Sequence, residues 1–349
     1  MRSDLRPLPI SFFCLLVLVT LGGLEWGARN FYDPPTPMLD KAQAFRAQSH
    51  TKDQLLIFGT CLAEQIIDPE LLQHEIGANL KVQNLATAAG TSQLMYYTLK
   101  NHIPHDIPVR GIVVPYGSLD LSKVMGPQES QTMEMVHLKD LSELIEIECQ
   151  DDPNCETQLW ARKISKMYRY RDYLANWFWL NIGGKAPPSA TDTNPGDAPP
   201  PPQELRRGSD PQKDPMRLDK DGREILVFED GRVMRGEKQT RAKSDFRYLI
   251  RFLELAKARE IPVFLLPLPT RNDYMQTPNQ DNNRKYKESL QSVIDQHGGI
   301  HMTPESIDGL SADDFSDSDR PDEQHLKKRG RSLVTKALGK EIQAELKTP

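Results

Sequence analysis

The chain has 349 residues, which fit one large domain or two small ones, and 38% of them are hydrophobic, enough to bury a sizeable core. Its 44 basic and 49 acidic residues give a formal charge of -5. This balance provides no broad basic field, so we expect no nucleic-acid partner.

The N-terminal segment is predicted to seek a membrane. Residues 7–24 carry no charge, and this length is near the lower limit of roughly 17 residues for a helical span and exceeds the usual apolar region of a signal peptide. We predict a signal anchor or transmembrane helix within residues 1–29, and cleavage after Ala28 stays open. Arg2 and Arg6 precede the segment, which favours a membrane-anchored protein whose globular part is extracytoplasmic, in the periplasm or at the cell exterior.

Two cysteines bear on the same compartment. Cys149 and Cys155 are close enough in sequence to form a local disulfide in an oxidising environment. Two unrelated thiols are the alternative that the sequence leaves open.

Short apolar runs and helical stretches alternate along most of the chain. After a proline-containing tether over residues 30–50, strands are predicted at 54–58, 81–85, 111–116 and 261–267, and helices at 68–77, 93–102, 245–259, 282–297 and from about 327 onward. Such alternation indicates βαβ units and a mainly parallel sheet covered on both faces. We therefore predict one α/β domain formed by residues 51–125 and 241–349.

An insertion over residues 126–240 separates the two halves of this domain. Its middle, residues 184–216, is rich in proline and polar residues and is predicted to be disordered. The flanks have aromatic helical character at 160–180 and a small β-hairpin at 224–233. We interpret the insertion as a lid or a surface for a protein partner.

Candidate catalytic residues occur near both ends of the α/β domain. Cys61 follows Gly59 and Thr60 at a strand-to-helix turn, a position suited to a nucleophile, although a small packed residue is the alternative. Gly90 closes the second strand, where a missing side chain lets a backbone N–H approach an oxyanion; a simple turn is the other interpretation. Asp322 and His325 have the spacing at which a carboxylate orients an imidazole base, provided that they form a tight loop before the last helix.

These motifs, in this order, resemble the SGNH (GDSL-type) hydrolase superfamily, and more narrowly its membrane-anchored bacterial branch. The resemblance covers about residues 51–125 and 243–345. It rests on the following residues: Gly59, Thr60, Cys61, Asp68, Pro69, Asn84, Leu85, Gly90, Asp322, His325 and Gly330. It implies a three-layer, flavodoxin-like sandwich and an esterase or O-acyltransferase acting on an acylated cell-envelope glycan or another small ester. Cys61, His325 and Asp322 would form the catalytic triad.

The sequence departs from that family at two positions. The family nucleophile is serine, where this chain has Cys61, and the loop that offers an oxyanion-hole asparagine contains Ser118 instead. Loss of one oxyanion donor costs on the order of 100- to 1000-fold in rate, which Ser118 and the backbone amides of Cys61 and Gly90 would partly offset. An inactive SGNH-like scaffold in envelope or polysaccharide assembly is therefore the second hypothesis.

Metal-dependent hydrolysis is a third class of function to weigh. His297, His301 and His325 lie in one region of the sequence but lack a compact ligand spacing. We expect no metal and no cofactor.

Overall fold

The computed structural model describes residues 10–31, 36–77, 79–87, 90–116, 121, 129–150, 154–171, 216–218, 224–227, 233–235, 246–269, 280–302, 307, 309–315 and 326–347. The chain divides into two compact units. We call residues 1–36 with 129–201 the helical unit, and residues 37–128 with 202–349 the α/β unit.

The described strands form two sheets in the α/β unit. They are β1 Asp53–Ile57, β2 Leu80–Asn84, β3 Val109–Tyr116, β4 Met216–Leu218, β5 Glu224–Val227, β6 Val233–Arg235, β7 Val263–Pro267 and β8 Gly299–His301. The larger sheet has the order β2-β1-β3-β7-β8, and all of its pairs are parallel. When the small sheet is skipped this is the flavodoxin-like order, so the prediction of an α/β fold with a mainly parallel sheet is confirmed.

The described helices alternate with these strands. In chain order they are α1 Ile10–Phe31, α2 Pro37–Arg46, α3 Cys61–Ile66, α4 Pro69–Ile76, α5 Ser92–Asn101, α6 Glu129–Met135, α7 Leu141–Glu148, α8 Cys155–Ile164, α9 Lys166–Arg169, α10 Arg247–Ala258, α11 Gln280–His297 and α12 Lys328–Lys347. Helix α4 shows how local sequence sets the bounds. Asp68 accepts hydrogen bonds from the amides of residues 70 and 71 at 3.1 Å, Pro69 occupies the first turn, and Gly77 ends the helix at φ +101°.

Helices cover both faces of the larger sheet. On one face, strand residues such as Ile57, Val113 and Phe264 share a buried core with α3, α4 and α12. On the other face, Phe58 packs edge-on against Phe252 of α10 with ring centroids 5.8 Å apart. This arrangement gives the three layers that the family resemblance implied.

Three regions differ from the sequence prediction or extend it. Helix α2 lies in the segment predicted as a tether, yet it buries Met38, Ala42 and Phe45 within the α/β unit. Strand β8 was not predicted. The hairpin predicted at 224–233 is present as antiparallel β5 and β6, with β4 added at its edge. Apart from Met216, the segment predicted to be disordered lies outside the described residues.

The helical unit joins α1 to the helices of the insertion. Glu25 accepts hydrogen bonds from the Ser165 hydroxyl at 2.7 Å and from the amides of Lys166 and Met167 at 2.8 and 3.1 Å. Burial by itself would raise the pKa of Glu25, but these bonds and the one from Arg29 outweigh it and lower the pKa to about 2. The end of α1 is therefore fixed to the start of α9.

Two further features of the helical unit concern the predictions on location. Cys149 and Cys155 form a disulfide between α7 and α8. In the part of the chain that the structure describes, no helix has both the length and the hydropathy required to cross a membrane. This contrasts with the segment predicted over residues 7–24, which begins before the described residues.

Candidate active site

The turn after β1 presents Cys61. Gly59 has φ +140°, and a Cβ at this position would lie 2.6 Å from the Ala63 Cβ and 3.0 Å from the Pro115 carbonyl oxygen, so only glycine fits. Thr60 then caps α3, because its hydroxyl accepts a hydrogen bond from the amide of Leu62 at 3.3 Å. Cys61 is the first residue of the helix, and it is a partly buried residue with a free thiol.

The position of this turn in the sheet matters for ligand binding. Strand β1 lies between β2 and β3, so the chain leaves β1 at the point where the order of the parallel strands reverses. In open α/β sheets, ligands bind in the crevice beyond the carboxyl ends of the strands at such a switch point. Cys61 is the first residue of α3, so its N–H has no acceptor within the helix and can serve as a donor to a bound group.

The loop after β2 contacts the Cys61 turn through its backbone. Leu85 N–H donates to Ile57 O at 2.8 Å, and Thr87 N–H donates to Gly59 O at 3.2 Å. A Cβ on Gly90 would lie 2.1 Å from Gly59 O, which shows how closely the two loops pack. The structure thus brings together two of the predicted site residues, Cys61 and Gly90, on adjacent loops.

The Gly90 amide is already engaged in this arrangement. Its N–H donates to Thr87 O at 3.0 Å. The oxyanion role predicted for Gly90 therefore requires this bond to open or to be shared. What the structure shows for Gly90 is a packing role, since the absent side chain permits the contact with Gly59.

The other predicted site residues, Asp322, His325 and Ser118, lie outside the described residues. The chain is described again on both sides of residues 316–325, where Phe315 and Leu326 form an antiparallel bridge. Lys327 N–H also donates to Asp314 O at 2.7 Å. The two ends of the segment that contains Asp322 and His325 are therefore held side by side.

Asp314 forms the contacts that hold the start of this segment in place. The sequence analysis did not identify this role. Its side chain is 2% exposed but lies close to the molecular surface, under the 65% exposed side chain of Arg329. One carboxylate oxygen accepts from the amide and hydroxyl of Ser311 at 2.8 and 3.0 Å, and Arg329 Nη1 lies 2.9 and 2.8 Å from the two oxygens. Burial alone would raise the pKa of Asp314, but the Ser311 bonds and the Arg329 charge outweigh it and lower the pKa.

Gly330, the last residue of the C-terminal motif, has a structural explanation in this cluster. A Cβ on Gly330 would lie 2.9 Å from both the Cβ and the carbonyl oxygen of Asp314. The glycine therefore lets the first turn of α12 pack directly against the Asp314 turn. A sequence signal existed, because Asp314 precedes the motif and Gly330 ends it, but nothing local indicated that they touch.

Helix α12 is docked onto the elements that follow Cys61. The Asp68 amide donates to the Thr335 hydroxyl at 3.2 Å, and Arg331 Nη1 donates to Gln65 O at 3.3 Å. Leu62, which follows Cys61, and Leu326, which follows His325, pack against the same hydrophobic core. The residues that follow Cys61 and His325 in sequence thus pack into one core.

A tyrosine and a histidine form a polar pair at the carboxyl edge of the sheet. The hydroxyl of Tyr116, at the end of β3, is 3.2 Å from Nε2 of His301, at the end of β8. Burial raises the pKa of Tyr116, which keeps the phenol neutral. His301 is exposed. Among the described residues, no cluster of His, Cys, Asp or Glu is arranged to hold a metal ion.

Comparison with known proteins gives structural matches alone. No protein-family profile matches the chain, and no curated protein matches it in sequence. A lipase/acylhydrolase from Enterococcus faecalis aligns at 12% identity and a TM-score of 0.34, over 85% of this chain and 98% of its own. LAE5, an alpha/beta hydrolase enzyme from the metagenome of Lake Arreo, Spain, aligns at 9% identity and a TM-score of 0.36, over 85% of this chain and 97% of its own. TM-scores below 0.5 transfer no activity to this chain, so its function is argued from its own residues.

Proposed function

We propose that this protein is an extracytoplasmic, membrane-attached acyl-transfer enzyme. It acts as an esterase or O-acyltransferase on acylated cell-envelope glycans, with Cys61 as nucleophile, His325 as base and Asp322 as the residue that orients His325. The observation that carries the proposal is the free thiol of the partly buried Cys61 at the switch point of the parallel sheet.

The chemistry requires the His325 imidazole within hydrogen-bonding reach of the Cys61 thiol. His325 accepts the thiol proton while the sulfur of Cys61 attacks the ester carbonyl, and the Cys61 N–H donates to the resulting oxyanion. The ester C–O bond then breaks, and His325 returns the proton to the leaving alcohol. Water or a glycan hydroxyl next attacks the thioester and gives its proton to His325, which returns it to the departing thiolate. Water makes the protein an esterase, and a glycan hydroxyl makes it a transferase.

The helical unit supports the proposed location. A disulfide between Cys149 and Cys155 is stable in the periplasm or outside the cell, whereas the cytosol keeps such thiols reduced. The uncharged residues 7–24 would provide the attachment to the membrane.

The direct test is hydrolysis of p-nitrophenyl acetate by the purified full chain, read as p-nitrophenol release. We expect Cys61→Ala and His325→Ala to abolish the release, and mass spectrometry to detect an acetyl group on the Cys61 peptide of the parent. A parent rate equal to that of buffer, with no acetylated peptide, would reject the enzyme.

A second candidate is a non-catalytic scaffold of the same fold in envelope assembly. The engagement of the Gly90 N–H with Thr87 O favours it, because that amide is then absent from the oxyanion hole. Cys61→Ser separates the two candidates. Esterase activity that appears only in the serine variant would indicate an intact fold whose activity was lost, whereas a parent more active than the variant identifies a cysteine enzyme.

A further inference from the structure

Exposed hydrophobic side chains are concentrated in the helical unit. Among the residues whose exposure the structure describes, all the exposed large hydrophobic side chains belong to this unit, and none belongs to the α/β unit. They are Val19, Leu21, Leu24, Trp26, Leu138, Trp160 and Ile164. Exposed apolar side chains concentrated in this way mark a surface that binds a membrane or another molecule.

Three of these side chains are on α1 and α8, close in sequence to the bond between Arg29 of α1 and Ile164 of α8. Trp160 and Ile164 are four residues apart on α8 and so share a face, with 38% and 60% of their surfaces exposed. Arg29 Nη2 donates to Ile164 O at 2.6 Å, which places the end of α1 beside this face. Trp26, 62% exposed, is three residues from Arg29 and on the same side of α1. We call Trp26, Trp160 and Ile164 the aromatic patch.

The patch is held as one surface. The Glu25 carboxylate binds the Ser165 hydroxyl and the first amides of α9, immediately after Ile164. These hydrogen bonds join the residues that neighbour Trp26 and Ile164 in sequence. The two helices therefore present their exposed side chains in a fixed relation.

The distribution of apolar residues on α1 indicates what covers the patch. Val19, Leu21 and Leu24 are all exposed, and at 100° per residue Leu21 and Leu24 share one side of the helix while Val19 points to the opposite side. A protein groove covers one stripe of a helix, whereas lipid covers all sides. Tryptophan favours the boundary between membrane and water, where Trp26 and Trp160 would then lie.

We propose that the aromatic patch seats the helical unit on the headgroup region of a lipid bilayer, at the point where the apolar part of α1 contacts the lipid. The inference rests on the membrane attachment in the proposed function and adds a second contact, through α8. It also fixes the side of the helical unit that faces the membrane. Acyl transfer itself is not required for it.

The test uses two full-length chains that each keep one tryptophan, Trp160 or Trp26, with the other tryptophans replaced by phenylalanine. Each is reconstituted into phosphatidylcholine and phosphatidylglycerol vesicles whose acyl chains carry bromine near the headgroup. We expect the fluorescence of Trp160 to be quenched about as strongly as that of Trp26, since both rings sit at the same depth. Adding Ile164→Asp to the Trp160 chain should reduce its quenching, whereas Leu138→Asp, an exposed residue outside the patch, should not.

The other outcomes each reject a different statement. Quenching of Trp26 but not of Trp160 would show that the aromatic patch does not lie on the bilayer, while the membrane attachment through α1 would stand. Failure of the chain to float with vesicles would reject the attachment, whatever the esterase assay shows. Concentration-dependent shielding of Trp160 from acrylamide in vesicle-free solution would identify a second copy of the chain as the occupant and overturn the proposal. Hydrogen exchange of the unmutated chain gives an independent readout, because vesicles should slow exchange across α8.

Discussion

Replacement of Asp314 should loosen the base of the segment that contains Asp322 and His325. In Asp314→Ala the amide and hydroxyl of Ser311 lose their acceptor. Hydrogen bonds to a charged group contribute about 1.5–3 kcal/mol, and Ser311 is itself exposed, so water can replace part of the loss and we expect about 1–2 kcal/mol. The exposed Arg329 contributes little, because such ion pairs are worth at most about 1 kcal/mol.

Hydrogen exchange of the Ser311 and Lys327 amides measures this local opening. A cost of about 1–2 kcal/mol corresponds to exchange roughly 5- to 30-fold faster in Asp314→Ala than in the parent. Asp314→Asn keeps a carbonyl acceptor for Ser311 and should accelerate exchange less. The matched control is Asp313→Ala, since Asp313 is exposed in the same turn. Exchange at Ser311 in Asp314→Ala within twofold of the control would refute the reasoning.

The pH dependence of the same cluster has a definite sign. The folded protein lowers the pKa of Asp314, so the carboxylate contributes its full stabilisation above the unfolded pKa of about 3.9 and loses it as the pH falls through the folded value. The difference in exchange between the parent and Asp314→Asn should therefore be constant above about pH 5 and shrink below about pH 4. A difference that grows on acidification would contradict the assigned hydrogen bonds.

Three further predictions concern other parts of the chain. Gly90→Ala should destabilise the α/β unit by about 1–3 kcal/mol, because the added Cβ would overlap Gly59 O at 2.1 Å. The measurement is the urea concentration at the midpoint of unfolding, which should fall. An unchanged midpoint would show that the two loops are not in contact. Exchange of the first amides of α9, corrected for intrinsic rates, should be independent of pH above about 5 and accelerate as the pH approaches 2, because Glu25 has a lowered pKa; Glu25→Gln should remove this dependence. Reduction of the Cys149–Cys155 disulfide should destabilise the helical unit by about 2 kcal/mol through loss of loop closure, read as a lower melting temperature in reductant.

Local signals predicted the elements whose ends are set by one or two residues. Asp68, Pro69 and Gly77 define α4 by capping and backbone geometry, which act within a few residues and are visible in sequence. The alternation of strands and helices likewise indicated the parallel sheet. Strand β8 escaped prediction because three residues, Gly299–His301, are too short to show a period of two.

Features that depend on long-range contacts could not be predicted in the same way. The burial of α2 did have a signal, since Met38, Ala42 and Phe45 follow a helical period, but the polar residues between them obscured it. The engagement of the Gly90 amide is decided by how two loops pack, and sequence alone carries no measure of that distance. The role of Asp314 likewise arises from a carboxylate and a glycine, Gly330, that meet only after folding.

Both units are assembled from separated stretches of chain, and this has a consequence for biosynthesis. Ser165, the first long-range partner of Glu25, follows it by 140 residues, and Thr335 follows Asp68 by 267. At about 5–20 residues per second, Ser165 is made roughly 7–28 s after Glu25, and Thr335 roughly 13–53 s after Asp68. Neither unit can close while its first stretch is newly made, so the apolar end of α1 and the edges of β1 and β2 are exposed together during synthesis. A cell that makes this protein needs chaperones or a membrane to protect these surfaces until the last helix emerges.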